Sequence, residues 1–304
     1  MVHHIKNNMS NLSLQGSITA IVTPFKSNGA IDETAFDRLI EFQIENGTNG
    51  IVVCGTTGET PTLSEAEDAR MFEHAVKRIG NRVPVIAGSG SNNTEECIKY
   101  SKTAEQTGVD GILVVGPYYN KPTAKGMYLH FSSVAQKVKC PIILYNVPGR
   151  TGSAIPLEVT MRLANEFSNI AGIKEASGNI NAVADLLSHR PKGFKVYSGD
   201  DSIAMSCNLL GADGCISVAS NVFPKEFSQM MALSMQGNAL AAREIFFKYR
   251  KLMDLLFIES NPIPVKTALA AMNMVEENFR SPMCAMENHN KQKLLDELKH
   301  LNII

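Results

Sequence analysis

The sequence predicts a (β/α)8 barrel with a C-terminal helical appendage, and three observations carry the prediction. Eight short, nearly continuous apolar runs precede Pro224, as expected for parallel strands covered on both faces. Segments with helical spacing lie between them. Eight such strand–helix units fill about the length that this barrel needs, typically ~250 residues. A doubly wound open sheet is the runner-up. That fold usually shows an early glycine-rich phosphate turn, and none is present here.

The runs are 17–25, 50–55, 83–90, 111–117, 141–148, 170–177, 195–201 and 214–221. Asp32-Glu33 opens the first intervening helix, which continues through Phe36, Leu39, Ile40 and Phe42. Ser64 followed three residues later by Glu67 is a capping box, in which each side chain satisfies the other residue's free amide. Thr94-Glu95-Glu96 starts a third helix, and Pro156-Leu157-Glu158 a fourth, with proline where a helix tolerates it. Beyond Pro224, Met230, Met231, Leu233 and Met235, then Ile245, Phe246, Leu252, Leu255 and Leu256, repeat at helical spacing. That methionine-rich stripe reads as core or subunit contact, not as a cofactor box. No low-complexity linker interrupts the chain. The expected organisation is an extension over 1–15, a barrel over 16–224 and a helical region over 225–304 packed on it.

Composition narrows the function. The 304 residues are 44% hydrophobic and 19% charged, with a formal net charge of -1, so nucleic acid is a poor partner. No apolar run approaches the ~18 residues of a membrane helix. Residues 1–15 are polar and lack the apolar stretch of a secretory signal. Cys54, Cys97, Cys140, Cys207, Cys215 and Cys284 form no C-x-x-C pair, which suggests reduced thiols and a cytoplasmic location. No histidine–cysteine cluster suggests a metal, and no Walker, dinucleotide or nucleophile-elbow motif occurs.

The most informative residue is Lys174, in the sixth run, Ile170-Ala-Gly-Ile-Lys-Glu-Ala-Ser177. A lysine inside a buried strand either snorkels its head to water or does chemistry. Desolvation favours the neutral amine, which attacks carbonyl carbon to form a Schiff base. In a barrel the active site lies at the C-terminal ends of the strands, and that rule gathers scattered residues at one rim. The second run ends in Gly55-Thr-Thr-Gly-Glu59, the fourth in Pro117-Tyr-Tyr-Asn-Lys-Pro122 and the fifth in Tyr145-Asn-Val-Pro-Gly-Arg-Thr-Gly152. The seventh ends in Ser198-Gly-Asp-Asp201, and the eighth holds Gly214-Cys-Ile-Ser-Val218.

Each of these reads two ways. The Thr56-Thr57 turn is a simple glycine-flanked bend or a cradle for a carboxylate. Tyr145 is a core phenol or a proton shuttle beside Lys174. Arg150 is an exposed loop charge or a fork for a substrate carboxylate. Tyr118-Tyr119 pack at an interface or supply a phenol. Asp200-Asp201 most simply cap the helix that follows. Two aspartates near the seventh and eighth strands also disfavour a phosphorylated substrate, because barrels grip phosphate there.

Gly-Thr-Thr-Gly-Glu at 55–59, Tyr-Asn-Val-Pro-Gly-Arg-Thr-Gly at 145–152 and Gly-Ile-Lys-Glu-Ala-Ser at 172–177 resemble the pyruvate-dependent class I aldolase and N-acetylneuraminate lyase family. The resemblance extends from Ser17 to nearly the end of the chain. Arg150, with Thr56, Thr57 and Tyr119, is similar to the members that join pyruvate to L-aspartate 4-semialdehyde. N-acetylneuraminate lyase and 2-keto-3-deoxy acid aldolases share the barrel, lysine and tyrosine and are the alternative. A catalytically silent barrel scaffold would have lost the lysine or the tyrosine, and neither is lost.

The resemblance implies a lyase whose Lys174 forms an imine with pyruvate, with no cofactor or metal. Tyr145, Thr56 and Tyr119 would move protons, Tyr119 coming from a neighbouring subunit. Thr57 and the backbone of Ile216 would hold pyruvate, Gly199 would border the substrate, and Arg150 would pair with the semialdehyde carboxylate. The cyclic product would feed lysine and diaminopimelate synthesis, and the assembly would be a homotetramer built as a dimer of dimers. Many relatives bind lysine as an inhibitor, at positions matching Thr60, Pro61, Leu63, Glu65, Asp68, Asn92, Glu96 and Tyr118. Glu65 and Asp68 stand where lysine-sensitive relatives often carry histidine, which implies weak or absent inhibition here.

Overall fold

Each apolar run becomes a strand hydrogen-bonded to its sequence neighbours, and the eighth closes on the first. The computed structural model describes residues 12–304. The strands are β1 (Gly16–Ala20), β2 (Gly50–Val53), β3 (Val85–Gly88), β4 (Gly111–Val115), β5 (Ile142–Asn146), β6 (Ile170–Glu175), β7 (Lys195–Ser198) and β8 (Gly214–Ser217), all parallel. The helices that follow the first four strands are α1 (Glu33–Glu45), α2 (Glu65–Ile79), α3 (Thr94–Gln106) and α4 (Ala124–Ala135). After β5 come a single turn, α5 (Pro148–Thr151), and α6 (Leu157–Glu166). Then follow α7 (Ile180–His189), α8 (Ala204–Leu209), α9 (Pro224–Met235), α10 (Ala239–Leu255), α11 (Ile263–Ala271) and α12 (Asn288–His300). The predicted caps are in place. Asp32 accepts from the Ala35 amide at 3.1 Å, and Ser64 and Glu67 form both bonds of the capping box.

Two cores explain why the runs are apolar throughout. Ile18, Val52, Ile86, Leu113, Ile143, Tyr145, Tyr197 and Ile216 fill the barrel interior. Ile51, Val53, Val85, Ile112, Val114, Leu144, Ile173 and Val196 face outward, into the layer of helices. All eight predicted runs extend past the C-terminal ends of their strands. The run predicted over 17–25 leaves the ladder after Ala20, and that over 214–221 after Ser217. Ile21, Val22, Phe25, Val218, Val222 and Phe223 remain buried beyond those points. Apolarity therefore reports burial at the rim as well as strand pairing.

The domain limits also move. α9 follows β8, packs on β1, α8 and α10, and buries Phe227, Met230 and Met231. It is the eighth helix of the barrel layer, so a boundary at 224 cuts through the barrel, and Met230 and Met231 are core. At the other end, Leu12 and Leu14 join the interior cluster, and the Tyr197 hydroxyl donates to the Leu14 carbonyl at 2.9 Å. The expected extension thus contributes its last residues to the barrel floor, while residues 1–11 lie outside the described part. The six cysteines are free thiols.

Candidate active site

Lys174 reaches the barrel interior through an irregularity in β6. Between Ile142 and Ile143 the pairing on β6 jumps from Ile170 to Gly172, leaving Ala171 as an extra residue. Ala171 lies in the interior cluster and Ile173 in the outer one. A bulge resets strand parity, which lets Ala171 and Lys174, an odd number of residues apart, both face inward. In register, Lys174 then sits between Tyr145 on β5 and Tyr197 on β7. Its residue exposure is 5% and that of Tyr145 is 7%. The Lys174 Nζ lies 4.4 Å from the centre of the Tyr145 ring. Among the described residues no carboxylate forms an ion pair with it.

Gly199 gives that side chain its room. A Cβ there would lie 2.8 Å from Lys174 Cε and 2.6 Å from Ala176 Cβ. The predicted substrate contact is therefore also a space requirement of the lysine itself. Ile216 is buried in the interior cluster and pairs with Ile18, but it does not border the cavity, whereas Val218 does.

The cavity above Lys174 has a volume of about 710 Å³ and is bordered by Thr56, Thr57, Tyr145, Arg150 and Gly199. The threonine loop is bracketed by two left-handed non-glycine residues, Cys54 at φ 50° and Glu59 at φ 56°. Such conformations cost of order 1–3 kcal/mol each and persist where surrounding structure holds them. Thr23 donates to the Gly58 carbonyl at 2.7 Å, and Gly58 N donates to Gly55 O at 3.0 Å. Gly88 lets the Cys54 carbonyl approach, since a Cβ there would lie 2.2 Å from it.

Residues that the sequence reasoning missed complete the wall. The last turn of α10, from Met253, and the segment that follows it to Asn261 also border the cavity. Asn261 Nδ2 donates to Thr57 Oγ1 at 3.0 Å, and Arg150 Nη2 donates to the Asn261 carbonyl at 3.3 Å. Asn261 Oδ1 is buried without a partner among the described residues. Only its place in the fold identifies Asn261, because its helical surroundings carry no motif of their own. Asn146 and Glu175 stand inside motifs yet were passed over. Asn146 Nδ2 donates to Glu175 Oε2 at 2.6 Å, Ile155 N donates to Asn146 Oδ1 at 2.8 Å, and Ser177 N donates to Glu175 Oε1 at 2.8 Å. Those bonds fasten the loops on either side of Tyr145 and Lys174.

Asp201 is not the helix cap the sequence suggests. Asp200 takes the local turn, accepting from Ser202 N at 2.8 Å. Asp201 is buried and accepts from Val218 N at 3.1 Å and Ala219 N at 2.9 Å, tying the β7 loop to the β8 loop. Burial pushes its carboxyl upward, against the pull of those hydrogen bonds.

With this geometry in view, residues 13–301 match the model of the dihydrodipicolinate synthetase family. The chain belongs to that family. It is 48% identical over 291 residues to the 4-hydroxy-tetrahydrodipicolinate synthase of Hydrogenobaculum sp. (strain Y04AAS1), covering 96% of this chain and 100% of that one. The crystal structure of dihydrodipicolinate synthase from Aquifex aeolicus superposes with a TM-score of 0.94 at 46% identity, covering 95% of this chain and 99% of that one. The chloride-inhibited dihydrodipicolinate synthase from Acinetobacter baumannii, solved in complex with pyruvate, gives 0.94 at 42% identity, covering 96% of this chain and 100% of that one.

The positions that the family resemblance assigned to lysine border a second cavity, of about 460 Å³. Thr60, Pro61, Leu63, Glu65, Asp68, Glu96 and Tyr118 border it, and it shares Thr56, Tyr145 and Arg150 with the first. Asn92 stands outside its wall and donates to the Tyr118 carbonyl at 3.1 Å. Tyr119 is brought to neither cavity. It is 90% exposed, with φ 71°, and its amide donates to Thr151 O at 3.3 Å.

Two outcomes follow from these contacts. Gly199→Ala is expected to push Lys174 aside and to lower turnover about 10²-fold, as a misplacement of about 1 Å can. Thermal unfolding should move by only a few degrees, and an unchanged turnover would contradict the account. Asp68 supplies a pH dependence. Burial pushes its carboxyl from an ordinary 3.8 to about 7, reinforced by Glu67 and Glu65 and opposed by hydrogen bonds from Cys54 and Thr60. Between those two values the folded chain holds a proton that the unfolded chain has released, so this group's contribution to stability falls as pH rises through the window. Asp68→Asn should therefore raise the Tm more at pH ~8 than at pH ~5, and equal gains would refute the linkage.

Proposed function

We propose that the chain condenses pyruvate with L-aspartate 4-semialdehyde to give 4-hydroxy-tetrahydrodipicolinate and water, on the route to lysine and diaminopimelate. The observation that carries this is Lys174, a buried amine without a carboxylate partner, one strand from Tyr145 at the rim of the barrel. The Lys174 amine adds to C2 of pyruvate, and loss of water leaves an imine. A proton leaves the methyl carbon to give the enamine. That carbon bonds to the aldehyde carbon of the semialdehyde, whose oxygen takes a proton and becomes the 4-hydroxyl. The substrate's own amine then adds to C2 and displaces Lys174, closing the ring as a cyclic imine. No cofactor is needed, because the imine itself withdraws the electrons.

The family resemblance supplies the remaining roles. Thr57, held by Asn261, and the amides of its loop receive the pyruvate carboxylate. Arg150, at the cavity mouth, forks onto the semialdehyde carboxylate. Tyr145 and Thr56 pass protons, and Tyr119 completes the relay from a second copy of the chain in a homotetramer. Its exposure and left-handed backbone suit a residue that reaches outward. A cytoplasmic enzyme with reduced thiols fits the same reading.

The test is direct. Incubation with pyruvate followed by borohydride should add one three-carbon group to Lys174, read by mass spectrometry of the digested protein. An adduct elsewhere, or none, ends the proposal. Offered pyruvate with aspartate semialdehyde, mannosamine or glyceraldehyde, the enzyme should turn over the first, and a preference for a sugar aldehyde would reassign it to sugar-acid cleavage. Glu65 and Asp68 beside the second cavity support a further reading, that lysine inhibits weakly or not at all. Inhibition by submillimolar lysine in a steady-state assay would overturn it.

A further inference from the structure

The Thr56-Thr57 loop ends at Glu59, whose left-handed backbone needs an external hold. That hold comes from the far end of the chain. Lys266 on α11 donates to Glu59 Oε1 at 2.5 Å, and the side-chain exposures of the two are 0% and 1%. The ammonium lies 4.3 Å from the centre of the Phe25 ring and 4.9 Å from that of Phe279. The Arg280 amide donates to Glu59 Oε2 at 3.4 Å, while the Arg280 guanidinium is taken by Glu67 at 2.6 Å. Neither Glu59 nor Lys266 borders either cavity.

A buried ion pair is a poor source of stability, because desolvating both charges offsets their attraction. What it does give is a single geometry, since removing one partner strands the other. Burial pushes Lys266 downward, and Glu59 pulls it back. We propose that Glu59 and Lys266 are positioning residues: the pair fixes the left-handed turn at Glu59 and so sets Thr56 and Thr57 to receive the carboxylate of the keto-acid substrate. The proposal rests on the reading of Lys174 as the imine-forming amine. It makes the C-terminal helical region part of the assembly of the site.

The experiment titrates pyruvate against borohydride-trapped Lys174 in the full chain and measures steady-state turnover alongside. In Lys266→Met and in Glu59→Ala, the pyruvate concentration for half-saturation should rise about tenfold or more, while trapping at saturation and the half-saturating aspartate semialdehyde stay within about twofold. The double variant Glu59→Gln/Lys266→Met leaves no charge stranded and should return pyruvate half-saturation to within about threefold of the starting protein. If Lys266→Met fails to accumulate as folded protein, Glu59→Ala and the double variant decide. Unchanged pyruvate half-saturation in the single variants, equal losses for both substrates, or a double variant as impaired as a single would each overturn the proposal. Failure of the unsubstituted protein to trap pyruvate on Lys174 would instead strike the functional reading.

Discussion

An amine buried in a closed barrel without a counter-charge is the constraint around which the rim is built. Among the described residues two lysines are buried, and the structure treats them in opposite ways. Lys266 is paired with Glu59 and enclosed by rings, so its charge is satisfied and fixed. Lys174 meets the face of Tyr145 and an open cavity. A paired ammonium holds structure, whereas a carbonyl carbon is attacked by a lysine in its neutral amine form, which an ion pair disfavours. The bulge at Ala171, the missing side chain at Gly199 and the Asn146–Glu175 bond all serve to place that second amine.

Much of this was legible in the sequence, for physical reasons that also mark where legibility ends. Parallel strands buried on both faces write themselves as apolar runs, so the order and number of strands could be read. The rule that barrel chemistry lies at strand C-terminal ends then placed Tyr145, Lys174 and the threonine loop together. Strand ends could not be read, because Ile21, Val22 and Val218 are buried by the rim and not by the ladder. The bulge left no mark of its own, since Ala171 and Gly172 suit either parity. Asp201 looked like a helix cap because local spacing cannot show that its carboxylate spans to Val218 and Ala219 on the next loop. Tyr119 was singled out only through the family resemblance, and the structure leaves it exposed and at neither cavity.

Helical spacing indicated C-terminal helices packed on the barrel, and the structure has them, but spacing alone does not show what they touch at the rim. In the fold, α9 completes the barrel layer and the segment before α11 supplies Asn261 to Thr57 and Arg150. These contacts join residues more than 100 positions apart, which no motif spacing encodes. A loop with two left-handed non-glycine residues is unstable by itself. Its anchors therefore have to come from elsewhere, and the C-terminal region is what packs over that side of the rim.

The floor of the barrel matters as much as its rim. Tyr197 follows Lys174 in register, yet its hydroxyl is turned down to the Leu14 carbonyl, and Leu12 and Leu14 fill the space beneath. Burial pushes the Tyr197 phenol well above its usual range, so it holds its proton and acts as a plug. Tyr145, in the same register row, opens to the cavity instead. The two tyrosines flanking Lys174 thus divide the work. One seals the barrel from below, so that the amine faces water only through the substrate cavity. The other stands at the cavity wall, where a phenol can give or take a proton as carbon–carbon bond formation proceeds.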